Sequence, residues 1–188
     1  MLDQIRPAIV LTVLLTAVTG LAYPLAITAA AQAAFPAQAN GSRILVDGAL
    51  VGSELIGQNF SQPGYFWPRP SATGPEPYNA AASSGSNIGP TGKALVERVA
   101  AAVGDQGGGP VPADAVTTSA SGLDPHITPQ YATSQVGRIA AARGVEPATI
   151  EVVLADLTEG PVLGMFGEPR VNVLRLNLAL DEAAPLRD

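Results

Sequence analysis

The sequence predicts an α+β protein in which one N-terminal transmembrane helix is followed by a single extracytoplasmic domain with a small antiparallel sheet and about three helices. Three observations support this class: a long uncharged apolar segment at the N-terminus, helical hydrophobic patterns in the second half of the chain, and an alternating apolar run near the C-terminus. Only 14% of the 188 residues are charged, against about 25% in an ordinary soluble domain. These features argue against a simple cytosolic globular protein.

The uncharged segment has the length of a membrane span. Between Arg6 and Arg43 the only ionisable side chain is that of Tyr23, and a hydrocarbon core about 30 Å thick requires roughly 20 apolar residues in a helix. Because no charge marks an ion path, we expect this helix to anchor and pack rather than conduct. The predicted segments are a cytoplasmic N-terminus (1–8), a transmembrane helix (9–31), an exit segment (32–42) and an extracytoplasmic α+β domain (43–188).

A cleaved signal peptide is the alternative interpretation of the same segment. Residues 29–31 and 31–33 both have the small-x-small pattern of a cleavage site. Against this alternative, Asp3 lies beside Arg6 in the first residues, and the apolar run exceeds the 7–15 residues usual in a signal peptide. The positive-inside rule favours an N-terminus inside and a domain outside.

The composition excludes several kinds of site. The net charge is −6 and no cluster of Lys and Arg occurs, which argues against nucleic acid because phosphate contacts dominate that binding. Without cysteine the chain has no disulfide, thiol nucleophile or thiolate metal site. His126 is the only histidine, so a histidine metal cluster is excluded, and we expect no metal site.

The folded part of the sequence begins with a hairpin and continues to three helices. Asp47 and Gly48 separate two short apolar runs, and Asp-Gly suits a type I′ turn because both central residues need positive φ. Apolar residues at helical spacing, with caps and breakers at the ends, predict the helices. These predicted helices cover residues 91–103, 128–143 and 147–157.

The alternating run at residues 171–180 predicts a half-buried strand. Its leucines fall on one face, with Arg175 and Asn177 on the other. Residues 162–166 are predicted to be its hairpin partner.

A proline-rich stretch at residues 60–86 holds a group of aromatic residues. Phe60, Tyr65, Phe66 and Trp67 lie within eight residues of one another. Two interpretations are open: the aromatic side chains form a local cluster that holds a long loop, or they form a docking surface, since aromatic residues are enriched at interfaces.

Two patterns resemble catalytic motifs without matching them. Residues 89–93 resemble a phosphate-binding loop, but Asn87 stands where the motif needs glycine and Ala94 where it needs serine or threonine. Ser121, Asp124 and His126 contain the residue types of a catalytic triad but are neighbours in sequence, whereas triads are assembled from distant segments. We interpret that segment as a turn that leads into a helix.

Several ungapped strings in the chain, taken together, resemble one family. They are ANGS (39–42), GSELIGQNF (52–60), YF and RPSA (65–66 and 69–72), SGSN (84–87), SASGLDPHI (119–127), QVGRIAAARG (135–144) and GEPRVNVLRLNLAL (167–180). In this order, and with Tyr23-Pro24 in the apolar helix, they resemble the KdpC family, the C subunit of the bacterial Kdp potassium-transporting P-type ATPases. Ala120 departs from the glycine usual in the family, and Pro90 follows Gly89.

The resemblance implies an accessory, noncatalytic subunit of an ATP-driven, high-affinity potassium import complex in the bacterial cytoplasmic membrane. The implied partners are a channel-like A subunit, a P-type B subunit that carries the phosphorylated aspartate, a small F peptide and the lipid bilayer. The complex, rather than this chain, would handle ATP and K⁺. The family is also described as a catalytic chaperone that raises the pump's affinity for ATP. The competing hypothesis is an exported, membrane-anchored binding or hydrolase-like domain that acts alone through Ser121 and His126.

Candidate site residues follow from these expectations. No residue is predicted to be catalytic. Four positions faintly resemble a nucleotide signature, namely Ser119, Ser121, Gly122 and Gln135. The candidate partner-contact residues are Phe60, Tyr65, Phe66, Trp67, Arg69, Asp124 and His126.

Overall fold

A computed structural model describes residues 2–186 of the chain. Met1, Arg187 and Asp188, at the ends of the first and last predicted segments, lie outside the described residues. The chain divides into two compact units, one ending at Val51 and one beginning at Gly52.

The first unit is dominated by one long helix. Helix α1 (Ile5–Ala17) and helix α2 (Tyr23–Ala34) are joined by a π-helical turn at Val18–Ala22. In that turn the Tyr23 N–H donates to the Val18 carbonyl, and Pro24, which has no N–H, follows directly. The continuous helix Ile5–Ala34 has 30 residues, contains an 18-residue stretch with a mean hydropathy of 2.0, and is long and apolar enough to cross a membrane.

The predicted hairpin is confirmed. A short helix α3 (Pro36–Ala39) leads into strand β1 (Arg43–Val46), which pairs with strand β2 (Ala49–Ser53). Asp47 and Gly48 have φ values of 50° and 78°, the left-handed backbone that the turn requires.

The second unit packs helices against a small antiparallel sheet, which confirms the predicted α+β class. Its elements are α4 (Lys93–Asp105), β3 (His126–Ile127), α5 (Pro129–Arg143), α6 (Pro147–Asp156), β4 (Thr158–Glu159), β5 (Arg170–Asn172) and α7 (Val173–Ala183). The sheet has the order β3-β5-β4, with Ile127 opposite Val171 and Thr158 opposite Val171. Side chains of α5, α6, α7 and β5 form most of the core.

Helices α5 and α6 confirm two of the predicted helices. Thr128 caps α5 by accepting a hydrogen bond from the Tyr131 N–H, Pro129 occupies the first turn, and Gly144 ends the helix with φ 66°. Asp114 supports this cap, since its carboxylate accepts bonds from the Thr128 N–H (2.7 Å) and hydroxyl (3.1 Å).

Helix α4 lies two residues later than predicted. It begins at Lys93 because the Gly92 N–H closes a turn on the Gly89 carbonyl (3.0 Å). It continues past residue 103, the predicted end, to Asp105. Gly107 and Gly108, both with positive φ, follow its end.

The predicted strand at residues 171–180 is wrong beyond Asn172. The Asn172 side chain accepts a bond from the Arg175 N–H (3.1 Å) and so caps helix α7. Side chains buried from α7 include Val173, Leu176, Asn177 and Leu180, which are spaced i, i+3, i+4 and i+7. The apolar run therefore fits both periods, and the cap together with burial against α5 and α6 favours the helix.

The predicted pairing of residues 162–166 with that strand is also wrong. Val162 and Phe166 form a bridge with each other instead, so this segment closes on itself as a tight turn. Strand β5 pairs with β3 and β4.

Candidate functional site

The strap, residues 63–67, is a loop segment whose backbone is bound by side chains from helices α5 and α7. Asn177 on α7 accepts a bond from the Phe66 N–H (2.8 Å) and donates to the Phe66 carbonyl (3.0 Å). Gln135 on α5 bonds Trp67 in the same way, at 2.8 and 3.1 Å. Both amides are buried. Each supplies the two hydrogen bonds that a neighbouring strand would otherwise provide to the backbone of a buried loop residue.

Two arginines on α5 bind the remaining carbonyls of the strap. Arg138 donates to the carbonyls of Pro63 and Tyr65 (3.0 Å to the latter), and to the Gln135 side-chain oxygen at 2.6 Å. Arg143 donates to the Gly64 carbonyl at 2.7 Å.

Arg143 is the largest fully buried side chain of the second unit. Besides the strap it donates to the carbonyls of Leu180 (3.2 Å) and Ala184, at the end of α7, and to the Asp181 carboxylate at 2.9 Å. One guanidinium therefore joins the strap, α5 and the C-terminal end of α7. Every donor nitrogen has an acceptor, which is the condition for burying a charge.

The aromatic residues 60–67 hold the loop in place. Phe66 is fully buried in the core (0% exposed), so its side chain offers no surface to a partner in this structure. The Phe60 and Tyr65 rings lie 5.6 Å apart, and the Arg138 guanidinium lies 3.7 Å from the centre of the Trp67 ring. The interpretation of these residues as a local cluster accounts for these contacts.

Tyr65 connects this cluster to α7. Its hydroxyl donates to the Asp181 carboxylate (3.1 Å), and Arg143 lies 5.0 Å from its ring centre. Burial, the hydrogen bond to Asp181 and the charge of Asp181 raise the pKa of Tyr65. The phenol therefore remains protonated and acts as a donor.

Arg69, Asp124 and His126 lie together at the edge of β3. The Arg69 guanidinium is 3.0 Å from one Asp124 oxygen, and the His126 N–H donates to the other at 3.0 Å, with the His126 ring nitrogen Nδ1 at 3.5 Å. Burial raises the pKa of the Asp124 carboxyl, but the bonds from His126 and the Arg69 guanidinium outweigh it, and the net pKa is lowered.

Tyr78 supports this group from the proline-rich loop. Its hydroxyl donates to the Arg69 carbonyl at 2.7 Å. Burial, and to a lesser degree the charge of Asp124, raises the pKa of Tyr78, so it too remains a donor at neutral pH.

Residues 119–122 form a turn that is bound internally. The Ser119 hydroxyl accepts a bond from the Gly122 N–H (2.9 Å), and the Ser121 hydroxyl accepts one from the Leu123 N–H (3.1 Å). Gly122 has φ 69°, and a Cβ there would lie 2.7 Å from the Thr73 methyl carbon. The glycine is thus explained by close packing of the turn against the proline-rich loop.

The four positions of the predicted nucleotide signature have different surroundings. Ser119 and Ser121 line a shallow surface depression with Leu55 and Pro125, whereas the Gln135 amide is occupied by the strap backbone. Both hydrogen-bonding groups of that amide have partners within the chain, so Gln135 serves the fold.

A catalytic triad is not assembled either. Asp124 bonds Arg69 and the His126 backbone, and no described contact joins the His126 ring to the Ser121 hydroxyl. Over residues 2–186, no group of three or more His, Cys, Asp or Glu side chains is placed to hold a metal ion.

Arg69 lines three open clefts, one of which, of about 630 Å³, lies against residues 110–114. Of the remaining two, one, of about 390 Å³, has walls from the strap, the proline-rich loop, α4 and α5, with Phe60, Trp67, Tyr78 and Tyr131 as its aromatic surfaces. The other, of about 320 Å³, contains Asp124, His126, Asp114 and Arg170. In this second cleft the Thr128 hydroxyl donates to the Asp114 carboxylate, but the same hydroxyl caps α5 by accepting a bond from the Tyr131 N–H, so this pair serves the fold.

Three residues that bind the strap, Asn177, Arg138 and Arg143, are not among the site residues predicted from the sequence. A basic residue at the C-terminal end of a helix is favoured by the helix dipole alone, so Arg143 gives no sign of its role in the sequence. Asn177 could have been found from the sequence: when residues 173–180 are read with helical spacing, this polar residue falls on the apolar face and is therefore expected to bind a polar group in the core.

These features define a class of protein: a single helix long enough to span a membrane, followed by an α+β unit whose polar side chains mainly hold its own loops. A family model described as KdpC, the c chain of the K⁺-transporting ATPase, matches residues 5–182. The chain belongs to the KdpC family. It is 57% identical over 189 residues to the potassium-transporting ATPase KdpC subunit of Sorangium cellulosum, covering 97% of this chain and 100% of the relative.

Other relatives give the same result. The potassium-transporting ATPase KdpC subunit of Polaromonas naphthalenivorans is 56% identical over 99% of this chain and 98% of its own length. That of Dechloromonas aromatica is 55% identical over 96% of this chain and 97% of its own. The resemblance drawn from the sequence strings is confirmed.

Proposed function

We propose that this chain is a membrane-anchored, noncatalytic subunit of an ATP-driven potassium import complex, where it stabilises the assembly of a channel-like A subunit, a P-type B subunit and a small F peptide. The observation that carries the proposal is the family match over residues 5–182. The internal use of the polar side chains supports a noncatalytic role, and the phosphorylated aspartate would lie on the B subunit.

The proposed topology places the N-terminus inside and the second unit outside the bacterial cytoplasmic membrane, with residues 9–31 spanning it. Arg6, which precedes the proposed spanning residues, and the uncharged residues 32–42 that follow them support this orientation through the positive-inside rule. Residues 32–42 then form the exit segment, and residues 43–188 the outer domain.

We also propose that any effect of the chain on the pump's affinity for ATP is indirect. A domain outside the membrane does not reach cytoplasmic nucleotide, and Gln135 and the residue 119–122 turn are engaged in the fold. Coupling through assembly or through the membrane helix requires only that the chain favours one state of its partners.

Co-expression tests the subunit role. The full-length chain is expressed with the A, B and F subunits, and the complex is purified through a tag on the B subunit. We expect the chain to co-elute, and K⁺-stimulated ATP hydrolysis to be lost when it is omitted. A chain that stays monodisperse alone while the other subunits form an active complex would instead support the domain that acts alone.

Steady-state kinetics of the assembled complex test the indirect effect on ATP. Ser121→Ala alters the residue 119–122 turn, and the matched control Ser134→Ala removes an exposed hydroxyl that bonds within α5. We expect both variants to keep the KM for ATP of the unmodified complex. A KM raised only by Ser121→Ala, together with ATP binding by the isolated full-length chain, would establish a direct contact.

A further inference from the structure

The apolar tip, residues 162–166, exposes four large apolar side chains on one tight turn. Val162 is 54% exposed, Leu163 85%, Met165 73% and Phe166 58%. Soluble surfaces rarely gather such side chains in one place without a partner. The second unit therefore presents an apolar surface that its own fold does not cover.

The tip is a folded structure. The N–H of Val162 donates to the Phe166 carbonyl (2.8 Å), and the N–H of Phe166 donates back to the Val162 carbonyl (3.0 Å). The Gly164 N–H closes the turn on the Pro161 carbonyl (3.0 Å). These bonds hold the backbone, so the apolar side chains are displayed in a defined arrangement.

Leu163 is an unusual residue for its position. Its φ is 55°, in the left-handed region that suits glycine or asparagine and is strained for a large side chain. With 85% of its surface exposed, packing within the chain does not explain the leucine. A contact outside the chain does explain it.

The residues next to the tip in the sequence provide no free positive charge for binding a partner. Residues 160–167 carry no charge, and Arg170 is paired with Glu159 at 3.0 Å. Glu168 has no ion-pair partner among the described residues, and Arg170, the one basic residue within residues 158–170, is already paired. Any binding there depends on apolar burial rather than on charge.

The chain carries its own proposed membrane anchor a short stretch of sequence before the second unit. The helix Ile5–Ala34 is long and apolar enough to span a bilayer, and Gly52 begins the second unit. The 17 residues between them reach at most about 60 Å when fully extended. The tip is therefore held at high effective concentration near a membrane surface.

We propose that the apolar tip inserts into the interfacial layer of the bilayer that the N-terminal helix spans. A bilayer accepts a small convex apolar turn without matching its shape. A specific protein interface needs about 800 Å² per partner and a polar rim, whereas the tip has five residues and the arginine nearest to it in the sequence, Arg170, is already paired. The proposal rests on the membrane anchoring proposed above and is independent of the subunit role.

Site-directed spin labelling tests the insertion, because the chain has no cysteine and any introduced cysteine is unique. Full-length Leu163→Cys, reconstituted in phosphatidylcholine vesicles, carries a nitroxide whose collisions with oxygen and with a water-soluble nickel chelate give its depth. We expect the Leu163 nitroxide to collide more often with oxygen than with the nickel chelate, which corresponds to a depth of about 5–10 Å below the membrane surface. The matched control is Val96→Cys, at an apolar residue of α4 that is 62% exposed. There we expect the nitroxide to collide more often with the nickel chelate than with oxygen.

A third label separates failure of the anchor from failure of the tip. Leu14→Cys lies in the apolar helix and must be lipid-exposed for the anchoring to hold. A lipid-exposed Leu14 label with a water-exposed Leu163 label would overturn the proposal and leave the anchoring intact. A Leu163 label that is shielded from both reagents only in the assembled complex would also overturn it, in favour of a protein contact.

Two further measurements complete the test: the dependence of the label's depth on salt and lipid charge, and the effect of polar substitutions in the tip. Because the tip is uncharged, we expect its depth to be the same in high salt and in vesicles that contain one-quarter phosphatidylglycerol. In a Phe166→Cys background, the double change Leu163→Ser and Met165→Ser is expected to move the label into water. An unchanged depth after that double change would contradict insertion by the tip.

Discussion

The strap and the apolar tip are two short loop segments with large apolar side chains and opposite environments. In the strap, Phe66 is buried and the backbone is bound by Asn177, Gln135 and two arginines. In the tip, the backbone hydrogen bonds run among residues 161–166 and the side chains face solvent. The difference shows that burial of a loop depends on polar side chains elsewhere that can satisfy its backbone.

The largest effect is expected at Arg143, the residue that joins the strap to α5 and α7. Arg143→Met keeps the apolar volume but leaves the carbonyls of Gly64 and Ala184 without a donor. We expect a loss of about 3–4 kcal/mol in the free energy of unfolding, because unpaired buried groups are costly. Denaturant unfolding of the full-length chain in detergent, followed by Trp67 fluorescence, measures it.

A surface arginine serves as the control that shows whether the burial of Arg143 causes the loss of stability. Arg170→Met removes a surface ion pair with Glu159, and we expect it to change the unfolding free energy by less than about 1 kcal/mol. Equal losses in the two variants would contradict the central role of Arg143.

The second effect concerns the amide that binds Trp67. Gln135→Leu leaves the Trp67 N–H and carbonyl without their partners, and we expect a loss of about 2–3 kcal/mol in the same unfolding experiment. Gln130→Leu, at an exposed position of the same helix, is the control and is expected to stay within about 0.5 kcal/mol of the unmodified chain. A similar cost for both variants would mean that the strap does not depend on this amide.

The sequence predicted local structure well where a few residues at the ends of an element carry the signal. The hairpin follows from Asp47-Gly48 and helix α5 from the Thr128-Pro129 start with Gly144 at the end. It failed at residues 173–180, where the leucines at every second position fit a strand while Val173, Leu176, Asn177 and Leu180 fit a helix. There the decision came from contacts between distant segments, namely burial against α5 and α6, which no local pattern contains.

The candidate site was predictable only in part. The aromatic residues 60–67 stood out by composition, but their buried arrangement depends on side chains about 70 to 110 positions away, at Gln135 and Asn177. Sequence spacing carries no information about such pairs. The apolar tip was predicted to be a strand for a different, local reason. Its self-closing turn requires Leu163 in a backbone region that leucine rarely adopts, so the sequence gives no sign of the turn.

A smaller effect is expected from pH at Asp124, beside the strap. Because the pKa of this carboxyl is lower in the folded than in the unfolded chain, its stabilising contribution is present above the ordinary carboxyl pKa near 4. It is lost as pH falls through the folded pKa. We expect Asp124→Asn to cost about 1 kcal/mol at neutral pH and to flatten the decline below about pH 4. Denaturant unfolding at several pH values, compared with Asp156→Asn on the exposed face of α6, measures the difference; an identical acid decline in both would argue against this role for Asp124.

The smallest effect on stability is expected at the tip, and its sign distinguishes the two loops. Leu163→Asn replaces a strained leucine by a residue that accepts φ 55°, while the leucine side chain contributes almost no burial to the fold. We expect the free energy of unfolding to stay the same or rise by up to about 0.5 kcal/mol. A loss above about 1 kcal/mol would mean that the tip packs within the chain, as the strap does. A neutral or stabilising result means instead that the leucine is not needed for folding, and the reason for its exposed position then lies in what the tip contacts.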